Sequence, residues 1–509
     1  GIASVYLSAM LFGDNFQEIV QNAVLLDLPE WYKEGIISYC GVYWDHLRDD
    51  ELRDILFQNE KYKDFKKLAE DYPRIAGHSM WFYLDQNYGK SSISNLLYLT
   101  RITRNLNNAL LYVFNNDIDA IALEWANYYE QHFDKETDKF TEGDEVHRLD
   151  LKNRDYVPVS NFKLSGDGEI LAYAYNEIGK YRVRIKDLKT GEEKTIFKYG
   201  HKNAIQATDY NYPLIAWHPN GRELSIVYEH KDVLKLRKYN LDADEYIEQL
   251  LPPDIQRVFS LSYLDDLRYI FSANTNGYSD LYHYNSKNRQ YKAITNDFYD
   301  DLDAEVVELD GKEGILFSSN RKRDHIFALE YDTILPTGQF DLFFYDLQAD
   351  DQSVKRLTKT DKIDERYPYQ ISSNKVAYLS SENGITNRYV VSTIDPSSYY
   401  SVSNKDRNII RHHTIPGSEM HAYTYYKNGS YDVYIENVDW DEPIIAYNTR
   451  YNNREYTEDI NAEKTDEVFI PYAPENLEEE LQEGFLFQSR FEDPEDLEPI
   501  TKIGDIRKN

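Results

Sequence analysis

Hydrophobic positions change their period partway along the chain. Up to about residue 133 they recur every three or four residues, which predicts helices. Residues 1–12 read as a helix already under way without a cap, which suggests a fragment whose natural start lies upstream. The stretch from Leu28 to Tyr39 reads as a loop closed by Pro29, then an amphipathic helix with Trp31, Ile36 and Ile37 on its apolar side. Helical spacing returns over residues 47–57 and 62–68, over Ala76–Leu84 with a stop at Gly89, and over residues 93–100. A long helix is expected from Asp117 to Phe133, with Leu123, Trp125, Ala126 and Tyr129 on its face.

After a charged linker from Asp134 to Asp144, short strands with turn punctuation take over. A turn followed by a buried strand recurs at Ser165–Tyr173, His218–Ile226, Leu264–Ser272, Asp310–Arg321, Asn374–Ser380 and Met420–Tyr425. Aromatic strands follow, such as Arg182–Leu188, Asp280–Tyr284 and Asp341–Leu347. Closing strands follow in turn at Ala293–Thr295 and Arg356–Thr358. A spacing on the order of 45 to 60 residues is one four-stranded propeller blade, and about six units make a ring. Beyond Asp441 the chain turns acidic and irregular, with glutamates at 475, 478, 479, 480 and 483 and prolines at 471, 474, 494 and 499. That end reads as a linker or a wrapping segment, with Phe469, Phe485, Phe487 and Phe491 as packing points.

Composition narrows the function. The 509 residues carry 89 acidic and 57 basic groups, a formal charge of −32, which argues against nucleic acid and against anionic lipid surfaces. The 46 tyrosines suit rings that pack at one end and meet water at the other. No apolar run is long enough to span a bilayer. Cys40 is the single cysteine, so no internal disulfide forms; it follows an apolar helix face, and an inert buried thiol is expected. The Asp300–Asp303 turn lacks the spacing of a calcium loop and reads as a solvated turn. The adjacent His412 and His413 point to opposite sides of a strand, against a metal site.

Several short motifs in the helical region form an ordered set: Trp31-x-x-Glu34-Gly35, Arg53-Asp54, Gly77-His78-Ser79, Tyr88-Gly89 and Glu124-Trp125-x-x-Tyr128-Tyr129. This set resembles gluzincin metallopeptidases of the peptidase-MA type over residues 20–133. The resemblance implies Glu34 as the third zinc ligand, facing two histidines of an upstream His-Glu-x-x-His helix. None of the twelve histidines lies upstream of Glu34 or forms such a pair, so no catalytic or metal residue is assigned. Glu34 and His78 are metal ligands only under a rival reading, and His78 is expected to be a hydrogen-bonded core histidine.

In the strand region, Asp167-Gly168, Phe317–Arg321 and Arg356–Thr358 are similar to the TolB-type β-propeller repeat. No Gly-x-Ser-x-Gly elbow accompanies it, as a propeller-gated serine hydrolase would need. The expected architecture is therefore a mainly α, gluzincin-like domain lacking its zinc motif (residues 1–145), an all-β, six-bladed TolB-like propeller (150–450) and an acidic tail (451–509). No cofactor is expected.

The resemblance implies a bacterial envelope protein on the periplasmic face of the outer membrane, within an assembly that inserts, secretes or displays outer-membrane proteins. The leading expectation is a non-catalytic scaffold that binds protein partners through both domains. The rival is a zinc peptidase whose His-Glu-x-x-His lies outside residues 1–509, with Glu34 as third ligand and the propeller as substrate gate.

Overall fold

The computed structural model describes residues 2–449 except 13–27, 138, 142, 154–156, 204–207, 276, 325, 327–337, 350–352 and 361–362. The expected acidic tail, 451–509, lies outside the described residues. A helical N-terminal region is followed by a six-bladed β-propeller. The eight described α-helices are α1 (Ile2–Phe12), α2 (Glu30–Gly41), α3 (His46–Gln58), α4 (Phe65–Asp71), α5 (Pro73–Tyr88), α6 (Lys90–Thr103), α7 (Leu106–Phe114) and α8 (Ile118–Thr137). Helix α7 went unread, and the helix expected over 62–68 is a 3₁₀ turn (Glu60–Lys63) followed by α4, whose start is capped by Asp64. By compactness, Leu84–Ile121 groups with the N-terminal residues in one unit. Pro29–Tyr83 and the described residues from Ala122 form another.

In the smaller unit, α6 packs on α7, and α7 buries Ala109, Leu110 and Phe114. In the larger unit, α2 and α5 cross at two glycines. A Cβ on Gly77 would lie 1.8 Å from the Trp31 carbonyl oxygen, and one on Gly35 would lie 2.4 Å from the Gly77 backbone. Only glycine allows that approach. Around the crossing Trp31, Tyr32, Phe65, Trp81, Trp125 and Tyr129 form an aromatic core with edge-on and tilted contacts.

The strands of the larger unit form six antiparallel sheets in chain order. The blades are β1–β4 (from Val159), β5–β8 (from Leu214), β9–β12 (from Arg257), β13–β16 (from Asp301), β17–β20 (from Glu365) and β21–β23 (from Ile409). All six recurrent turn–strand units of the sequence fall on the second strand of a blade: β2, β6, β10, β14, β18 and β22. Each first strand contacts the next, and β21 returns to β1, so the ring closes with the first strands innermost.

The sixth blade has three strands, and chain from before β1 covers its outer edge. Arg148 bridges Tyr434 of β23, and the Leu149 amide donates to the Val433 carbonyl at 2.8 Å. The edge amides that would otherwise lie open are thereby tied to the start of the propeller. Helix α3 also docks its buried acids on this blade. Asp50 accepts from the Asn408 amide at 2.9 Å, and Asp54 accepts from the amides of Asn428 and Gly429 at 2.8 and 2.7 Å.

Candidate functional site

Five of the six first strands carry a break in register against their second strand. The breaks fall between Val159 and Asn161, between Val258 and Ser260, between Leu302 and Glu305, between Arg366 and Tyr369, and between Ile409 and Arg411. A bulge leaves a residue out of the ladder and re-aims its side chain. The residues set loose include Ser160, Phe259, Asp303, Tyr367 and Ile410, and all of these line one cavity of about 430 Å³. Asp303 and Tyr367 take left-handed backbone angles, φ 58° and 54°. The second blade contributes Asp209, Tyr210 and Asn211 from the loop before β5. The cavity therefore draws on every blade and lies on the propeller axis.

Its chemistry is charged and aromatic. Arg366 grips Asp303 through two bonds of 2.6 and 3.1 Å, and the Tyr367 amide adds a third at 3.1 Å. Burial opposes ionisation of Asp303, but the Arg366 guanidinium outweighs it and holds the carboxyl below its ordinary range. Arg257 pairs with Asp209 at 2.8 Å. Arg411 reaches the side-chain oxygens of Asn161 and Asn211 at 3.3 and 3.1 Å and sits 5.3 Å from the Tyr367 ring centre.

A second polar layer crosses the ring. Lys163 of β1 pairs with Glu305 of β13, which belongs to the blade opposite, and approaches the Tyr369 hydroxyl at 3.3 Å. Burial works against the Lys163 charge, yet Glu305 and Tyr369 together raise its pKa. His413 accepts from the Leu164 amide at 3.2 Å, whereas His412 turns to His421 at 3.1 Å and to the Tyr367 carbonyl at 2.7 Å. The adjacent histidines thus point different ways. Burial lowers the pKa of all three, His412 to about 3.

The residues singled out from sequence lie elsewhere. Glu34 is exposed on α2. His78 is fully buried on α5, its Nδ1 lies 2.9 Å from the Ser38 hydroxyl, and burial followed by the Arg48 charge lowers its pKa to about 4. No described hydrogen bond or ion pair joins Glu34 to His78. The motif residues around them serve packing: Ser79 receives the Trp125 indole N–H at 3.1 Å, and the Tyr83 hydroxyl donates to Glu124 at 3.0 Å.

Two expectations are corrected. Cys40 is exposed, because it stands in the last turn of α2, beyond the crossing at Gly35; partial burial still raises its pKa, so the thiol is not activated. The Asp300–Asp303 segment is not a solvated turn, since Asp301 is fully buried and holds Arg321 through two bonds of 2.6 Å. Asp280, Asp297 and Asp301 form the one described cluster of three potential metal ligands, and Arg321 occupies it as their counter-charge.

The cluster belongs to a repeated blade bond. Leu281, Leu342 and Arg388 amides donate to Thr295, Thr358 and Ser403 hydroxyls. Likewise the Asp297, Thr360 and Lys405 amides donate to Asp280, Asp341 and Asn387. Sequence reading missed the cavity arginines because they sit on or beside bulged strands, where the alternation of two is broken.

No protein-family model matches the chain, and no curated protein matches it. Among solved structures it is similar to the β-propeller domain of the Trilobed protease from Pyrococcus furiosus: 16% identity over 56% of this chain and 83% of that one, TM-score 0.36. TolB from Acinetobacter baumannii is similar at 16% identity over 55% of this chain and 66% of that one, TM-score 0.36. A prolyl endopeptidase is similar at 12% identity over 64% of this chain but only 47% of its own length, TM-score 0.37.

Proposed function

We propose that this chain is a non-catalytic binding subunit whose propeller takes a segment of a partner protein into its axial cavity, with the helical region as a second binding surface. One observation carries the reading: bulges on five first strands turn side chains out of the sheet ladder and into one cavity to which all six blades contribute. Bulges cost ladder hydrogen bonds, and a ring built only for stability has no use for them at the same place in five blades. A setting on the periplasmic face of the outer membrane, within an assembly that inserts, secretes or displays outer-membrane proteins, rests on the resemblance of the repeat motifs to TolB-type propellers. No helix of the described residues is long and apolar enough to cross a membrane.

The test is site-directed photo-crosslinking in the native cell. A crosslinker at Tyr210, which is on the cavity rim and 54% exposed, is expected to capture a discrete envelope protein. One at Ile247, 74% exposed on β8, is expected to capture none or something else. Equal capture from both positions, or none from Tyr210, overturns the proposal.

A further inference from the structure

The axial cavity is lined by three guanidinium groups, Arg257, Arg366 and Arg411, but by only two carboxylates, Asp209 and Asp303. Arg257 and Arg366 are each paired with one of the two. Arg411 has no carboxylate partner among the described residues. Two of its five N–H groups are spent on Asn161 and Asn211. Those amides orient the guanidinium without neutralising it.

Their own orientation is fixed. Asn161 Nδ2 donates to the carbonyls of Asn211 and Pro213 at 2.8 and 3.0 Å, which turns its oxygen to Arg411. The Tyr367 ring flanks the group from the bulge of β17. A held, un-neutralised guanidinium with spare donors, in a chain of net charge −32, is a receptor for an anion. Around it the innermost strands are sheet edges, and a strand edge offers N–H and C=O groups to an extended chain.

Building on the protein-capture reading above, we infer that Arg411 receives a carboxylate of an extended peptide lying in the axial cavity. The carboxylate comes from a chain terminus or from an acidic side chain.

Three peptides carrying an uncharged BODIPY dye on the N-terminus separate these sources: (Gly-Ser)4 with a free terminal carboxylate, the same peptide amidated, and amidated (Gly-Glu)4. Binding is read by fluorescence anisotropy on the whole chain at low salt. The free-acid or the glutamate peptide is expected to bind roughly 10- to 100-fold more tightly than the neutral one, the range of a charge-assisted bond. Arg411→Gln is expected to abolish that preference, and Arg411→Lys to keep part of it. Asn211→Asp supplies the missing carboxylate and is expected to abolish it with Arg411 still in place.

The charged peptide that gains identifies the source. Equal or absent binding of all three peptides overturns the inference, as does a preference that survives both Arg411→Gln and Asn211→Asp. Capture of a partner from Tyr210 together with that result would leave protein capture standing and remove only the carboxylate.

Discussion

Gly77 shows how single residues decide this fold. Its absent Cβ leaves room for the Trp31 carbonyl, and the neighbouring atoms are backbone that cannot rotate away. Gly77→Ala is therefore expected to destabilise the helical region by about 3 kcal/mol, the upper part of the usual overpacking range. Thermal unfolding followed by far-ultraviolet circular dichroism at the helical minimum checks this; an unchanged midpoint would contradict it. Gly35 and Gly77 were legible in the sequence as members of short motifs, but the reason for them was not, because it lies in a contact across some forty residues. Tyrosine abundance was legible in the same partial way. Tyr173 and Tyr228 bury their rings and donate to Glu193 and Glu248 at 2.8 and 2.6 Å, a use of acid and phenol that composition alone does not reveal.

Asp280 carries a pH signature at this scale. Burial, followed by the Asp301 charge, lifts its pKa from the ordinary 3.8 to about 7. The folded chain then holds a proton that the unfolded chain releases near pH 4. Its contribution to stability is complete below that pH and is lost as pH rises towards 7. Asp280→Asn keeps the accepting oxygen, as Asn387 does at the matching place two blades on, and removes the titration. Urea unfolding from pH 4 to 7 is expected to show the wild type losing stability relative to the variant; parallel curves would contradict the assignment.

At the scale of elements, the strands that could be read and those that could not differ in one physical respect. Second strands are unbroken and follow tight turns such as Ser165–Gly168, so their positions repeat cleanly. Five of the six first strands bulge, and β13 and β17 bury roughly every third residue instead of every second. The face that lines the cavity was therefore the unreadable one. Helix α7 was missed for a different reason: Leu106–Phe114 spans only nine residues, too few for a helical period to repeat. Closure of the sixth blade depends on backbone bonding before β1. Leu149→Pro removes the amide that donates to Val433. Hydrogen exchange is expected to speed up in β23 while the third blade stays unchanged, and equal protection in both would argue against the strap.

At the scale of the whole ring, the Lys163–Glu305 pair joins opposite blades across the axis. Lys163→Met leaves the half-buried Glu305 without its partner and is expected to cost about 2 to 3 kcal/mol, whereas Lys163→Met with Glu305→Leu is expected to recover most of it. Denaturant unfolding of the single and double variants measures the difference.

On the proposed function, the axial cavity and not an outer blade face is where a partner is held. Hydrogen exchange of the chain with and without the protein captured from Tyr210 tests it most directly. Slowed exchange is expected at the first-strand amides around Ser160, Phe259, Tyr367 and Ile410, with outer strands such as β4 and β8 unchanged. Slowing confined to those outer strands or to the helices would contradict it.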